Sequence, residues 1–282
     1  MTVFDLPAVT ALIQAAIAED IGRGDLTTQL TVAENVRARA EIVAKQDGVI
    51  AGLPVLAKVF HTLGSTSVTI DAHLTDGVAF VTGTTVASLN GPVSDLLAGE
   101  RVALNFLQHL SGIATLTRQY VKAVAGTRAR IVDTRKTMPG LRVLEKYAVR
   151  VGGGHNHRLG LDDGVLIKDN HIVAAGGVGA AVSRARRHAP HTVKIEIECT
   201  TLEQIDEALS AGADAILLDN MAPKLLAEAV RRIGGRALVE ASGGVTLATV
   251  RSIAETGADL ISVGALTHSA PAVDLSMRVT LV

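Results

Sequence analysis

Tryptophan is absent from this 282-residue chain, and only two Tyr and four Phe occur. Single-stranded nucleic acids are held on stacked aromatic side chains, so the scarcity argues against that class of partner. An excess of positive charge is also missing. Lys and Arg number 27 against 28 Asp and Glu, a formal net charge of −1, which does not suit a binder of phosphate backbones. Cys199 is the single cysteine, so neither an intrachain disulfide nor a multi-cysteine metal site can be built; it reads as a small buried hydrophobe in a cytoplasmic protein. No apolar run approaches the roughly 18 residues of a spanning helix, and the opening MTVFDLPAV carries Asp5 and no basic stretch, so neither anchor nor leader is expected.

What is plentiful is apolar. Hydrophobic residues make up 48% and charged residues 20%, which excludes a disordered chain, and the length allows a large α/β domain with a smaller companion. The second half alternates short branched-apolar runs with helical stretches. Six strands are predicted, at Ala129 to Asp133, Gly164 to Ile167, Val193 to Ile197, Ala215 to Leu218, Ala237 to Glu240 and Leu260 to Val263. After the second, their spacing of about one βα unit predicts parallel strands with right-handed crossovers, best satisfied by a closed or nearly closed α/β barrel. Thr200 or Thr201 caps a helix through Ala211 that stops at Gly212, and Thr246 caps another through Glu255 that stops at Gly257. AGAD at Ala211 to Asp214 and TGAD at Thr256 to Asp259 form a weak internal repeat that speaks for architecture, not activity.

The first 110 residues read as a mixed α+β domain. An amphipathic helix from Leu6 to Asp20 leads to strand-like pieces with glycine turns, and one or two long helices then run toward a boundary near Ser111.

Between Asp133 and His171 the chain concentrates seven Lys or Arg and three His among glycines, as DTRKTMPG, VGGGHNHRLG and VLIKDNH. That pattern suits a pocket for a small polyanion. Arg142, Lys146 and Arg150 recur at helical spacing and read as the wet side of one helix, which leaves Arg135, Lys136, His157, Arg158 and Lys168 as the pocket. His155 reads as surface. HNH lacks the spacing of a zinc site, and no structural metal is expected.

Parallel barrels carry their reactive groups where strands end. Those positions here hold Thr134, Arg135 and Lys136; Lys168, Asp169 and Asn170; Glu198; Asp219 and Asn220; Ser242, Gly243 and Gly244; and Val263, Gly264 and Ala265. The SGG and VGAL ends give backbone amides the freedom to surround a phosphomonoester. Glu198 and Asp219 can accept ribose hydroxyl protons, approach Mg²⁺ through water or stabilise a developing cation. Glu196 and Glu240 alternate with the chosen positions and carry less weight.

The ordered series EDIGRGDLTT, ERVALNFLQHLSGIAT, DTRKTMPGLR, GGGHNHRLGL, LIKDNH, LLDN, SGG and VGALTHS resembles the quinolinate phosphoribosyltransferase family over nearly the whole chain. The resemblance implies an open parallel α/β barrel (111–269) preceded by a smaller α+β sandwich domain (1–110), with residues 270–282 rejoining the first. It implies a homodimer in which Arg101 reaches the neighbouring pocket. It further implies that quinolinate and phosphoribosyl pyrophosphate give nicotinate mononucleotide, pyrophosphate and CO₂, with Lys136, Lys168, Glu198 and Asp219 as the catalytic set. Arg101, Thr134, Arg135, His157, Arg158, Ser242, Gly243, Gly244, Val263, Gly264 and Ala265 complete the substrate site, and Mg²⁺ sits near Glu198 and Asp219. The rival readings are a nicotinate-type phosphoribosyltransferase, a Schiff-base lyase using Lys168, and a non-catalytic oxyanion-binding relative.

Overall fold

The computed structural model describes residues 2–282. In chain order its strands are β1 (Arg37–Ala44), β2 (Gly48–Val49), β3 (Thr69–Ala72), β4 (Ala79–Phe80), β5 (Thr85–Pro92), β6 (Arg130–Val132), β7 (Val165–Ile167), β8 (Ile195–Cys199), β9 (Ala215–Asp219), β10 (Leu238–Ser242), β11 (Leu260–Ser262) and β12 (Leu275–Leu281). The chain divides into two compact units. Residues 2–118, Thr137–Gly153 and Thr267–Val282 form the first; Gln119–Lys136 and Gly154–Leu266 form the second.

In the first unit an antiparallel sheet runs β12-β1-β5-β3, and β2 pairs with β4. The tail strand β12 matches β1 from Ala38 opposite Leu281 to Ala44 opposite Leu275. The opening helix spans Pro7–Ile21, with proline at a position where no helical N–H is needed. Of the one or two long helices expected, the structure has one, Val93–Ala123, which buries Leu96, Leu104, Leu107, Leu110 and Ile113. Where the sequence reading ran a second domain from 111 to 269, the structure groups residues 111–118 and 137–153 with the first unit. The helix Arg142–Val151 explains this: it buries Leu144, Ala148 and Val149, and at Gly152 an added Cβ would lie 2.6 Å from the Ala114 carbonyl and the Thr117 Cβ.

That helix also corrects the sequence. Lys146 is 2% exposed and Glu145 fully buried, so Lys146 does not belong to a wet face with Arg142 and Arg150. Glu145 Oε1 lies 2.9 Å from His109 Nε2, and its Oε2 accepts the Met138 N–H at 3.2 Å. The helix is covered on more than one side, which helical spacing alone does not reveal.

In the second unit six parallel strands run β6-β11-β10-β9-β8-β7, and no ladder joins β6 to β7, so the barrel is open. Ile195, Ile197, Cys199, Ile216, Leu218, Val239, Ala241 and Ile261 are buried on one set of strand faces. Glu196 and Glu198 share the other face of β8, and Glu198 and Glu240 both stand in register with Leu217. Thr201 caps the helix Leu202–Ser210 in a capping box with Gln204, and Gly212, at φ 84°, ends the turn as expected. The other predicted helix starts later than Thr246, at Val250–Ala254, because Thr246 and Thr249 pair their hydroxyls at 3.1 Å and form a turn first. No helix among the described residues is long and apolar enough to cross a membrane.

The AGAD and TGAD repeats tie neighbouring strands. Asp214 Oδ2 accepts the Ile195 N–H at 2.8 Å, while its own N–H and carbonyl join Ile195 and Leu238. Asp259 Oδ2 accepts the Val239 N–H at 3.0 Å, while its N–H and carbonyl join Val239 and Arg130. Each aspartate thus satisfies a strand donor that the ladder leaves over. Asp259→Ala is expected to destabilise the protein by about 2 kcal/mol, chiefly through the orphaned Val239 N–H, since the surface ion pair with Arg128 contributes little. Asp259→Asn, which keeps an acceptor, should lose about half as much. Urea midpoints decide it, and an unshifted midpoint for the alanine variant would refute the role.

Candidate active site

The cationic half of the site is built on the end of β6. Asp133 is completely buried; its Oδ1 accepts the His157 N–H at 2.9 Å and its Oδ2 the Asn156 amide at 2.5 Å. His155 donates its N–H to the Ile131 carbonyl and accepts from Asp133 N–H, so the HNH segment lies along the free edge of β6. His155 itself is exposed, and it is the backbone of this residue that matters. Thr134 Oγ1 accepts the Lys136 N–H at 3.1 Å, a tight turn that leaves Lys136 exposed. Neither Asp133 nor Asn156 stood out in the sequence. The one local hint was an aspartate closing an apolar strand.

This clamp brings Arg158 beside Arg135. Both are half-buried, and the Arg135 Nε is buried without a hydrogen-bond partner. Arg158 donates from Nη1 to the Gly164 carbonyl at 3.0 Å. Its pKa is lowered first by burial and then by the Arg135 charge, against the opposing influence of Glu196 and Asp163. Two half-buried guanidiniums, one acting on the charge of the other, make a place where a planar carboxylate is favourable, because it supplies the opposite charge and an acceptor for the Arg135 Nε.

The other strand ends supply the acidic and glycine half. Lys168 Nζ lies 3.4 Å from Glu198 Oε2, with the lysine side chain 50% and the glutamate 16% exposed. The sequence reading put Glu198 and Ser242 just beyond their strands; the structure includes both, extending β8 to Cys199 and β10 to Ser242. Polar residues facing a barrel interior interrupt the apolar run by which strands are recognised. Asp219 closes β9 and accepts the Asn220 amide at 2.6 Å. Asn220 adopts φ 53° and donates its N–H to the Ser242 carbonyl at 2.9 Å. Gly243, at φ 93°, must be glycine: a Cβ there would lie 2.9 Å from the Asn220 nitrogen and closer still to its side chain. Gly244 is left-handed too, and Val263 and Gly264 precede the short helix Ala265–His268.

Two glutamates given little weight in the sequence lie against His157. His157 Nε2 is 3.0 Å from Glu196 Oε2 and 3.7 Å from Glu240 Oε2, and the three donor atoms lie within 4.8 Å of one another. Burial and the adjacent Glu196 push Glu240 up to about 8. Cys199 is buried and its thiol is pushed up to about 12, first by burial and then by Glu198, which makes it inert as a nucleophile. Arg101 lies on the helix Val93–Ala123 of the first unit, with its side chain 57% exposed and 4.0 Å from Glu100.

Two family models match: the quinolinate phosphoribosyl transferase N-terminal domain over residues 25–111 and the C-terminal domain over residues 113–278. The chain is 49% identical to a probable nicotinate-nucleotide pyrophosphorylase (carboxylating) of Synechocystis sp., covering 95% of this chain and 91% of that protein. It is 47% identical to the protein described in the same words from Bacillus subtilis, covering 96% and 93%. The crystal structure of NadC from Streptococcus pyogenes superposes with a TM-score of 0.94 at 42% identity, covering 100% of this chain and 99% of the other.

Proposed function

The chain belongs to the quinolinate phosphoribosyltransferase family, and we propose that the strand-end site of its second unit performs the family reaction. The protein is a decarboxylating pentosyltransferase of NAD biosynthesis: phosphoribosyl pyrophosphate and quinolinate give nicotinate mononucleotide, pyrophosphate and CO₂. The observation that best supports this site is the Arg135 and Arg158 pair, both half-buried, with the charge of Arg135 acting on Arg158 and the Arg135 Nε buried without a partner.

Quinolinate carries two ring carboxylates. Arg135 and Arg158 receive one edge of that dianion, with His157 behind them, and Lys168 exchanges its contact with Glu198 for the second carboxylate. Arg101 adds a further cation from the partner subunit of a homodimer. Lys136, exposed at its turn beside Thr134, holds the pyrophosphate. Ser242, Gly243 and Gly244 with Val263, Gly264 and Ala265 surround the 5′-phosphate.

Positive charge grows at the anomeric carbon as the C–O bond to pyrophosphate breaks. Glu198 and Asp219 hold the ribose hydroxyls and offset that charge. The pyridine nitrogen then forms the new C–N bond. The resulting pyridinium accepts the electron pair released when the 2-carboxylate departs as CO₂, and water protonates the ring carbon. Orientation and charge placement account for the catalysis, and no covalent enzyme intermediate is required.

The donor set fits Mg²⁺. Glu198 and Asp219 are partly exposed carboxylates at neighbouring strand ends, and this ion commonly takes one or two carboxylates along with substrate phosphates and waters. When bound it would neutralise the pyrophosphate leaving group. A cytoplasmic location accords with the lone cysteine.

The test is an assay with quinolinate labelled in its 2-carboxylate, phosphoribosyl pyrophosphate and Mg²⁺. Nicotinate mononucleotide and labelled CO₂ are expected in equal amounts, with no product when nicotinate replaces quinolinate. Folded protein that yields neither product would sink the proposal.

A further inference from the structure

We propose that Glu240, acting with Glu196 through His157, is a positioning residue for the substrate-carboxylate pocket: the two glutamates hold the histidine in one tautomer and keep Arg158 free for substrate. This rests on the assignment of Arg135 and Arg158 to the quinolinate carboxylates.

His157 Nδ1 accepts the Arg158 backbone N–H at 2.7 Å. A nitrogen that accepts carries no hydrogen, so the ring hydrogen is on Nε2, aimed at Glu196 at 3.0 Å. His157 is fixed from the other direction as well, its backbone N–H bound to buried Asp133. The two glutamates come from the strands flanking β9. Small Ala215 is in register with Glu196, on the strand that separates the two glutamates. Glu240 is 1% exposed, and neither of its carboxyl oxygens has a hydrogen-bond partner in this arrangement, with Glu196, His157 and Ser262 as its polar neighbours.

The same three side chains could be taken for a metal site. The tautomer argues otherwise, since a histidine binds metal through a bare nitrogen and Nε2 here carries the hydrogen. A buried carboxyl beside a second carboxylate instead keeps its proton, which is the direction in which Glu240 is shifted. As the acid it can donate to Glu196, which is then held by two donors, Glu240 and His157. Glu196 is also near enough to Arg158 to act on its charge. Without Glu240, Glu196 has less to keep it on the histidine and turns toward the guanidinium, where it competes with the incoming carboxylate.

Replacement of Glu240 therefore has a defined kinetic signature. Glu240→Leu, of similar volume, should raise the quinolinate KM about tenfold and leave kcat and the phosphoribosyl pyrophosphate KM within about twofold. Glu240→Gln keeps a neutral donor of the same shape and should hold the quinolinate KM within about threefold of the wild type. Histidine ¹⁵N NMR of the wild-type enzyme, with the His157 signal identified by its loss in His157→Asn, should show a protonated Nε2 and a bare Nδ1. An unchanged quinolinate KM in Glu240→Leu would overturn the inference, as would a parallel loss in kcat and both KM values. If the leucine variant does not fold, a wild-type His157 protonated on Nδ1 overturns it equally. So would a stoichiometric transition metal in the purified enzyme that disappears in Glu240→Gln. Failure of the underlying assignment looks different: Arg158→Ala would leave the quinolinate KM untouched while the His157 tautomer stayed as described.

Discussion

Arg135→Ala is expected to raise the quinolinate KM by about 10²–10³-fold while the phosphoribosyl pyrophosphate KM stays within about threefold. The magnitude follows from what the side chain lacks before substrate arrives. Its Nε is buried without a partner, and it stands beside another guanidinium whose charge it opposes. A planar carboxylate supplies an acceptor to the first and a counter-charge to both. Truncating one member of such a half-buried pair loses about 3–4 kcal/mol, and 1.4 kcal/mol corresponds to about tenfold. Arg135→Lys restores the charge but not the planar fork, so about a tenfold defect should remain. Stability should not fall in the alanine variant, because removing Arg135 relieves repulsion and an unsatisfied buried donor together. Steady-state kinetics with each substrate varied, alongside a thermal melt, gives the answer. A normal quinolinate KM in folded Arg135→Ala protein would remove this arginine from the pocket.

The barrel was legible because branched apolar runs such as Ala215 to Leu218 and Leu260 to Val263 end abruptly in Asp219 and Gly264. Their βα spacing then selected parallel strands. It was less legible wherever the barrel interior is polar. Glu196, Glu198, Glu240 and Ser242 lie within strands, and a run such as IEIEC looks half-solvated although Glu196 is buried. The alternation of Glu196 with Glu198 placed both on one face. Nothing local, however, said that a glutamate two strands away would share a histidine with one of them. Lys146 fails for a related reason: helical spacing reports one face, and the helix Arg142–Val151 is covered on more than one. The clamp of Asp133 on Asn156 and His157 spans more than 20 residues, and no short-range pattern encodes it. The proposed pocket cations stood out in the sequence because Arg135, Arg158 and Lys168 each follow a turn or strand end in a glycine-rich setting. The influence of Arg135 on Arg158, and the contact of Lys168 with Glu198, required the fold.

On the proposed mechanism, in which Glu198 acts on charge that exists only in the transition state, Glu198→Gln should lower kcat by about 10²–10³-fold with little change in quinolinate affinity. The substitution preserves shape and removes the charge. In the structure Glu198 faces Lys168 at 3.4 Å, a contact between a half-exposed lysine and a mostly buried carboxylate, which on its own contributes little stability. On the proposed mechanism, Lys168 turns to substrate and leaves the carboxylate facing the ribose with its full charge. Lys168→Ala and Glu198→Gln should therefore be non-additive in kcat/KM, each single change removing part of what the other needs. Asp219→Asn is the comparison. Asp219 already accepts from Asn220, so part of its charge is engaged, and a smaller loss of about 10–10²-fold is expected. Single-turnover rates at saturating substrate separate this chemistry from binding. If Glu198→Gln loses quinolinate affinity instead of rate, the glutamate serves the resting lysine and not the developing cation, and the division between an anion-binding half and a cation-stabilising half of the site falls.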